Sequence, residues 1–195
     1  MFDFAYKTQC FIPHPTYFSW SPKDHPSMIA IHSNSKWGRG LGRRFGWIDA
    51  HEDIIDALEC IQQRSILCPD TLHQLAFTSY VTKAMKEQTL RPYLYQIRDS
   101  YKNAADVTIR AIEKHLCMPC LKPQGGLYTL MNVGEDGDTF VTRVIKHTGV
   151  LFIPGKGFGD TLTEAVRISY GPHVEHTHVI EDGIKRVSTY LKSCS

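Results

Sequence analysis

Residues 27–49 read SMIAIHSNSKWGRGLGRRFGWID, in which a polar, glycine-rich loop separates two apolar segments. The first segment, residues 27–31, is a short apolar run with β-branched side chains, which suits a buried strand of a parallel sheet. Residues 45–48 predict a second strand. The loop between them carries a single lysine, Lys36, among hydroxyl and guanidinium groups. The sequence therefore predicts a polar loop held between two buried strands.

The rest of the chain mixes predicted helices with predicted strands. Apolar residues at steps of three and four predict helices at 51–66, from 69 onwards, at 92–116, at 139–147 and at 180–191. Apolar runs beside glycine and proline predict strands at 127–133, 149–153 and 165–169. The segment after Pro92 predicts one helix of about seven turns. These elements indicate an α/β unit over 1–92, followed over 93–195 by the long helix and a smaller α+β unit.

The composition is that of an ordinary globular protein. The 195 residues are 42% hydrophobic and 22% charged, with a net charge of +2 and both signs interspersed. No basic surface for nucleic acid is expected, and no apolar run approaches the ~20 residues of a membrane span. The first ten residues lack the apolar stretch of a secretory signal, so we expect a cytoplasmic protein without nucleic-acid or membrane partners.

The cysteines and histidines do not predict a metal site. The six cysteines are scattered, and we expect most of them to be free, buried thiols. Cys117-x-x-Cys120 has the spacing of a redox pair or of half a zinc site, but a second ligand pair at a suitable distance is absent. His173-x-x-His176-x-His178 falls in a predicted turn, which favours a solvated loop.

The loop around Lys36 suits phosphate and amine chemistry. Serine hydroxyls at 33 and 35 and the guanidinium of Arg44 are groups that bind phosphate oxygens. Neighbouring arginines favour the neutral amine of Lys36, which is the form that attacks carbonyl groups. The glycine spacing matches neither the dinucleotide fingerprint nor the P-loop. A solvated basic loop is the alternative interpretation of residues 36–46.

Four motifs, in chain order, resemble segments of one enzyme family. Ser33-x-Ser35-Lys36, followed by Gly42, Arg44 and Gly46, resembles the cofactor-lysine segment of the class I/II aminotransferases, which are fold-type I pyridoxal phosphate enzymes. Asp3-x-x-Tyr6 resembles their Asp-x-x-Tyr segment, and residues 123–128 resemble the Pro-x-Gly-Gly entry strand of their small domain. Residues 150–169, with Arg167-x-Ser169, resemble their closing run. The resemblance covers nearly the whole chain.

The resemblance implies pyridoxal 5'-phosphate as cofactor and a role for each matching residue. Lys36 would hold the cofactor as a Schiff base and move a proton between substrate and cofactor. Asp3 would pair with the pyridinium nitrogen, and Tyr6 would donate to the ring oxygen. The phosphate would be bound by Ser33, Ser35 and Arg44, and the substrate carboxylate by Arg167 in a two-pronged pair. The implied reaction exchanges an amino group between an amino acid and a 2-oxo acid.

The resemblance also implies a fold and a partner. We expect a partial aminotransferase large-domain sheet, joined by the long helix to a smaller α+β carboxyl-terminal domain, in a homodimer. Family members begin well upstream of the aspartate, and the absent half normally supplies a phosphate-binding helix N-terminus, an aromatic residue stacked on the ring and an asparagine beside it. Exposed strand edges are the expected consequence.

Several alternatives stay open at this point. The chain could associate with a complementary polypeptide, or act as a non-catalytic partner of the same fold. It could also catalyse another pyridoxal phosphate reaction, such as elimination, decarboxylation or cyclisation. For Arg167, the alternative role is a structural salt bridge, because a lone buried charge is costly.

Overall fold

A computed structural model describes residues 1–194, and the chain mixes helices with two small sheets. The helices are α1 (Glu52–Ser65), α2 (Thr71–Lys86), α3 (Leu90–His115), α4 (Gly137–Thr148) and α5 (Thr177–Ser193). The strands are β1 (Phe2–Asp3), β2 (Ala30–Ser33), β3 (Gly46–Asp49), β4 (Tyr128–Asn132), β5 (Ile153–Pro154) and β6 (Ala165–Ser169). The predicted mixed α/β class is therefore confirmed.

The chain forms two compact units, one from Met1 to Arg98 and one that begins at Asp99. The dividing point lies within α3, as does the boundary after residue 92 that the sequence predicts. With 26 residues, α3 makes just over seven turns, which agrees with the prediction.

The sheet of the first unit has the order β1-β2-β3. β1 is parallel to β2 with Asp3 opposite Ile31, and β3 is antiparallel to β2 with Gly46 opposite Ser33. Phe4, Met28 and Ala30 form a buried apolar cluster. The predicted strand at 27–31 is displaced: Met28 donates its N–H to the His25 carbonyl in a turn, so the strand begins only at Ala30.

Two helices of the first unit begin at side-chain caps. The His51 ring accepts a hydrogen bond from the N–H of Asp53 at the start of α1. Asp70 accepts from the N–H groups of Leu72 and His73 at the start of α2. Such caps satisfy backbone donors that have no partner within the helix, and both helices begin where the sequence predicts.

The second unit contains the antiparallel sheet β4-β6-β5, with helices α4 and α5. Its core includes the fully buried side chains of Met131, Phe140, Val144, Val166 and Val187. The predicted strand at 149–153 is wrong except at its end, because only Ile153 and Pro154 pair with β6. Gly149 is the C-terminal cap of α4 at φ +69°, and the exposed Leu151 follows it. The first residues of this stretch therefore end the helix and do not form a strand.

The cysteine side chains differ from expectation. All six are free, but four are exposed and only Cys10 and Cys120 are half-buried. Cys60 lies on α1, which buries none of its residues, and Cys117 and Cys194 follow helix ends. The expected burial was wrong because these positions face away from the two cores.

Within residues 1–194, no helix has the length and apolar character needed to cross a membrane. Among the same residues, no group of three or more metal-ligating side chains is placed to hold an ion. The cytoplasmic location stays a prediction.

Candidate active site

The first sheet gathers the candidate residues of the first unit at one edge. Asp3 ends β1 and Ser33 ends β2, and these two strands run parallel, so their carboxyl ends meet at the same edge. Because β3 runs the other way and pairs Gly46 with Ser33, Arg44 lies just before β3 at that edge as well. The carboxyl ends of parallel strands are where α/β folds place their ligand sites.

Lys36 lies beside Tyr6. Its Nζ is 5.4 Å from the centre of the Tyr6 ring, within the range of a cation–π contact. Lys36 is half-buried in the turn that follows β2, and Tyr6 follows β1. The structure therefore brings the predicted amine and the predicted phenol together, although neighbouring strands supply them.

The Asp3 carboxylate is exposed at the end of β1. Its Oδ1 accepts a hydrogen bond from the N–H of Ala5 at 2.9 Å, which closes a local turn. This bond orients the carboxylate through one of its two oxygens. Among residues 1–194, no donor contacts the other oxygen, Oδ2, which leaves it for a further donor.

Hydroxyl and guanidinium donors precede and follow the lysine in the sequence. Ser33 Oγ accepts from the N–H of Ser35 at 3.1 Å, and its own hydrogen is left to donate. Arg44 is exposed and contacts the Leu41 carbonyl through Nη1 at 3.4 Å. Since a guanidinium carries five N–H donors, most of those on Arg44 are available to an anion.

Arg167 lies on β6 in the second unit, half-buried against two aromatic rings. Its Cζ is 4.3 Å from the centre of the Tyr128 ring and 4.4 Å from that of Phe158. Its Nε is buried and has no hydrogen-bond partner in the described part of the chain. Among residues 1–194, no carboxylate forms an ion pair with it, so the alternative of a structural salt bridge gains no support.

A profile of the family described as "Aminotransferase class I and II" matches residues 1–182. The chain belongs to this aminotransferase family. Curated aminotransferases similar to it include the (5-formylfuran-3-yl)methyl phosphate transaminase of Methanocaldococcus jannaschii, 28% identical over 163 residues. Aromatic-amino-acid aminotransferase 2 of Thermococcus litoralis is 25% identical over 167 residues.

Both matches cover 84% of this aminotransferase chain, but only 42% and 41% of the two relatives. The chain thus spans less than half the length of the curated relatives it matches. Among solved structures, an aromatic aminotransferase from Pyrococcus horikoshii aligns with a TM-score of 0.84 at 23% identity, over 98% of this chain and 50% of that one. The predicted fold, a partial fold-type I aminotransferase, is therefore confirmed.

One buried residue of the loop that carries Lys36 was not among the predicted site residues. Asn34 is fully buried, and its amide Nδ2 lies 2.7 Å from Nε2 of His73 on α2. Its main-chain oxygen accepts hydrogen bonds from the N–H groups of Gly38 at 3.0 Å and Gly40 at 3.3 Å. In the sequence, Asn34 occupies the variable position of the Ser-x-Ser-Lys motif. It is an amide four residues before Gly38 and six residues before Gly40.

A second amine lies near the same edge. Lys7 Nζ donates to the Phe18 carbonyl and is 4.7 Å from the centre of the Phe4 ring. Burial lowers the pKa of Lys7 below its ordinary value, while the carboxylate of Asp49 acts in the opposite direction. Lys7 is therefore the amine against which the reactivity of Lys36 should be measured.

A cavity of the first unit lies apart from the candidate residues at this edge. It encloses about 690 Å³ beside the turn between α2 and α3, and its walls include Met85, Leu94 and Tyr95. None of the predicted site residues lines it. The candidate site is consequently assigned by the chemistry at the sheet edge and not by cavity volume.

Proposed function

We propose that this chain carries the lysine side of a pyridoxal phosphate-dependent aminotransferase site. An amino group would pass between an amino acid and a 2-oxo acid, with Lys36 as the cofactor-binding residue. The observation that carries the proposal is the Lys36 amine beside the Tyr6 ring, at the sheet edge that Asp3, Ser33 and Arg44 also reach. Membership of the aminotransferase family supports it.

The donor set fits the cofactor. The Ser33 hydroxyl and the Arg44 guanidinium suit its phosphate, with Ser35 as a further hydroxyl. The Asp3 carboxylate, held by Ala5, would pair with a protonated ring nitrogen, and the Tyr6 hydroxyl would donate to the ring oxygen. When bound, pyridoxal phosphate supplies an electron sink for the carbanion that forms at the substrate carbon.

Lys36 is also the proton carrier in this proposal. Its neutral amine would take the proton from the α-carbon of the amino acid, and its ammonium form would return one. The contact with the Tyr6 ring restricts the side chain to the sheet edge, which reduces the number of positions that Nζ can occupy.

Arg167 is proposed to bind the substrate carboxylate. The rings of Tyr128 and Phe158 limit the directions from which an anion can approach the guanidinium, and the unpartnered Nε favours a two-pronged carboxylate contact. The similar proteins named above act on aromatic amino acids or on a formylfuran phosphate. An amino donor with a ring-containing side chain is therefore a reasonable first substrate to test.

We also propose that the chain acts in an assembly, either as a homodimer or with a complementary chain, as membership of the aminotransferase family suggests. Among residues 1–194, β1 pairs only with β2. The outer side of β1 is therefore available to pair with a strand of a partner. Light scattering of the purified chain tests this: a monomer at all concentrations contradicts the homodimer.

The decisive experiment maps where the cofactor attaches. The full chain is incubated with pyridoxal phosphate, reduced with borohydride and analysed by peptide mass spectrometry. We expect the pyridoxyl group on Lys36, no such peptide in Lys36→Arg, and unchanged Lys36 labelling in the matched control Lys7→Arg. Labelling spread over Lys7 and exposed lysines, without preference for Lys36, would contradict the proposal.

Product analysis then distinguishes the reaction type. Amino transfer yields a 2-oxo acid with no release of ammonia or carbon dioxide, whereas elimination releases ammonia and decarboxylation releases carbon dioxide. A chain that is labelled on Lys36 but forms no product, alone or in an assembly, would favour the alternative of a non-catalytic partner.

A further inference from the structure

We propose that Asn34 and His73 are positioning residues that fix the turn carrying Lys36. The inference rests on the proposed function of Lys36, because it assigns these two side chains to the placement of its amine. It starts from a polar side chain that is fully buried inside a loop of the first unit.

Burial of the Asn34 amide is only partly compensated. Nδ2 of Asn34 lies 2.7 Å from Nε2 of His73, whereas Oδ1 is buried and has no hydrogen-bond partner among residues 1–194. A buried polar atom without a hydrogen bond is destabilising, so an apolar residue would be favoured here if the position only filled space. The hydrogen bond to His73 therefore points to a role in geometry.

The turn wraps around Asn34. Its carbonyl oxygen holds the N–H groups of Gly38 and Gly40, and Lys36 lies inside the loop that these two bonds close. A Cβ on Gly38 would lie 2.9 Å from that oxygen, and a Cβ on Gly40 would lie 2.5 Å from Nδ2. The backbone can approach Asn34 this closely only because both positions are glycine.

His73 is itself held in place. Its N–H donates to the capping carboxylate of Asp70, and its ring lies edge-on to Phe45 with 5.5 Å between ring centres. Nδ2 of Asn34 can donate to Nε2 of His73 in the tautomer that carries the ring proton on Nδ1. His73 is thus fixed at the start of α2 and contacts the Asn34 amide. The Asn34 carbonyl in turn closes the turn that contains Lys36.

Substitutions at Asn34 and His73 test whether these side chains position Lys36 or only fill buried space. Asn34→Leu keeps the volume but removes the hydrogen bond, and His73→Phe keeps the ring but removes the acceptor. His73→Gln retains an acceptor and is the conservative variant. Ser79→Ala, on the exposed side of α2, is the matched control. Circular dichroism and thermal unfolding establish that each variant is folded.

The readout is the rate of labelling at Lys36 relative to Lys7. Each amine condenses with the aldehyde of pyridoxal phosphate, a C=N bond forms and water leaves, and borohydride then delivers hydride to the carbon to give a secondary amine. We expect Asn34→Leu and His73→Phe to lower the Lys36-to-Lys7 ratio about tenfold or more, because small displacements of a reacting group cost large factors in rate. His73→Gln and Ser79→Ala should stay close to the parent ratio.

A second readout does not involve the cofactor. Reductive methylation with ¹³C-formaldehyde gives each lysine a dimethylamine signal, and in the parent chain the nearby Tyr6 ring should shift that of Lys36. Loss of this shift in Asn34→Leu, with the Lys7 signal unchanged, supports the inference. If the parent is not labelled by pyridoxal phosphate, the proposed function fails, and the methyl signal still decides whether Asn34 positions Lys36. Folded variants with parental labelling ratios and parental methyl signals would overturn the inference alone.

Discussion

The guanidinium carbon of Arg167 lies 4.4 Å from the ring centre of Phe158, a side chain that is half exposed at the end of a 3₁₀ turn. Tyr128, on the neighbouring strand β4, approaches the same guanidinium to 4.3 Å. The two rings come from segments 30 residues apart and meet at one arginine whose Nε has no partner. The two rings therefore fix the orientation of the Arg167 guanidinium, as the proposed carboxylate contact requires.

Replacing Phe158 should weaken carboxylate binding. Phe158→Leu removes the cation–π contact but keeps an apolar side chain, and such a contact contributes about 0.5–1 kcal/mol at a partly exposed site. We expect binding of 2-oxoglutarate, measured by calorimetry, to weaken about two- to fivefold. Arg167→Lys should weaken it further, because an ammonium lacks the two-pronged fork.

The matched control for this prediction is Phe158→Tyr, which preserves the ring and should bind like the parent chain. Equal affinity for the leucine and tyrosine variants would show that the ring does not orient Arg167. Equal affinity for Arg167→Lys would remove Arg167 from the proposed substrate site.

Asp3→Asn should separate cofactor attachment from amino transfer. The asparagine oxygen can still accept the N–H of Ala5, so the turn after β1 is kept, but the negative charge opposite the ring nitrogen is lost. Borohydride should still fix the pyridoxyl group on Lys36. Conversion of an amino acid to its 2-oxo acid should slow by about 10²-fold, the usual loss when a preorganised charge is removed. An unchanged rate would exclude Asp3 as the partner of the ring nitrogen.

Acid should weaken the second unit through Glu181. A hydrogen bond from His115, with contributions from Lys185 and Lys114, lowers the pKa of Glu181 below its ordinary value of 4.5. Because the pKa is lower in the folded chain, the stabilisation is complete above the unfolded pKa and is lost as pH falls through the folded one. The expected window therefore lies at and below about pH 4.5.

Urea unfolding at a series of pH values tests this expectation. The parent should be more stable than Glu181→Gln near neutral pH, and the difference should shrink as the pH falls below the ordinary glutamate value. Glu175→Gln, which alters another glutamate of the same unit, is the comparison. A difference that does not change with pH would mean that ionisation of Glu181 does not contribute.

The pattern of apolar residues was sufficient for the helices but not for the shortest strands. The long helix α3 was predicted from apolar residues at regular steps, and the start of α2 from Pro69-Asp70. The strand at 149–153 could not be predicted correctly, because Gly149 ends α4 in the left-handed region and the same apolar letters suit either structure. Tertiary pairing with β6 decides where β5 begins.

The sequence was sufficient to predict the reactive side chains of the candidate site, but not the contacts that hold them in place. The motifs predicted Lys36 and Tyr6 as site residues, and the structure places Nζ of Lys36 5.4 Å from the centre of the Tyr6 ring. Asn34 was not predicted, because the role that we propose for it depends on His73, 39 residues along the chain, and on the close approach of Gly38 and Gly40. Contacts of this kind exist only after the sheet and α2 have formed.

Gly40 and Gly42 give a matched pair of alanine substitutions in the same loop. A Cβ at Gly40 would lie 2.5 Å from the buried amide nitrogen of Asn34, whereas a Cβ at Gly42 would meet no atom within 4 Å. Overpacking of a buried site costs about 1–3 kcal/mol, so Gly40→Ala should lower the free energy of unfolding by that amount. Gly42→Ala should change it by no more than about 0.5 kcal/mol.

The two variants should also differ at Lys36. If the amide of Asn34 must yield to the new methyl group, its hydrogen bond to His73 lengthens, and labelling of Lys36 should slow in Gly40→Ala but not in Gly42→Ala. Denaturant unfolding and borohydride trapping, carried out on the same samples, measure both effects. Loss of stability without loss of labelling would mean that the turn tolerates displacement of Asn34, and that His73 does not transmit its position to the lysine.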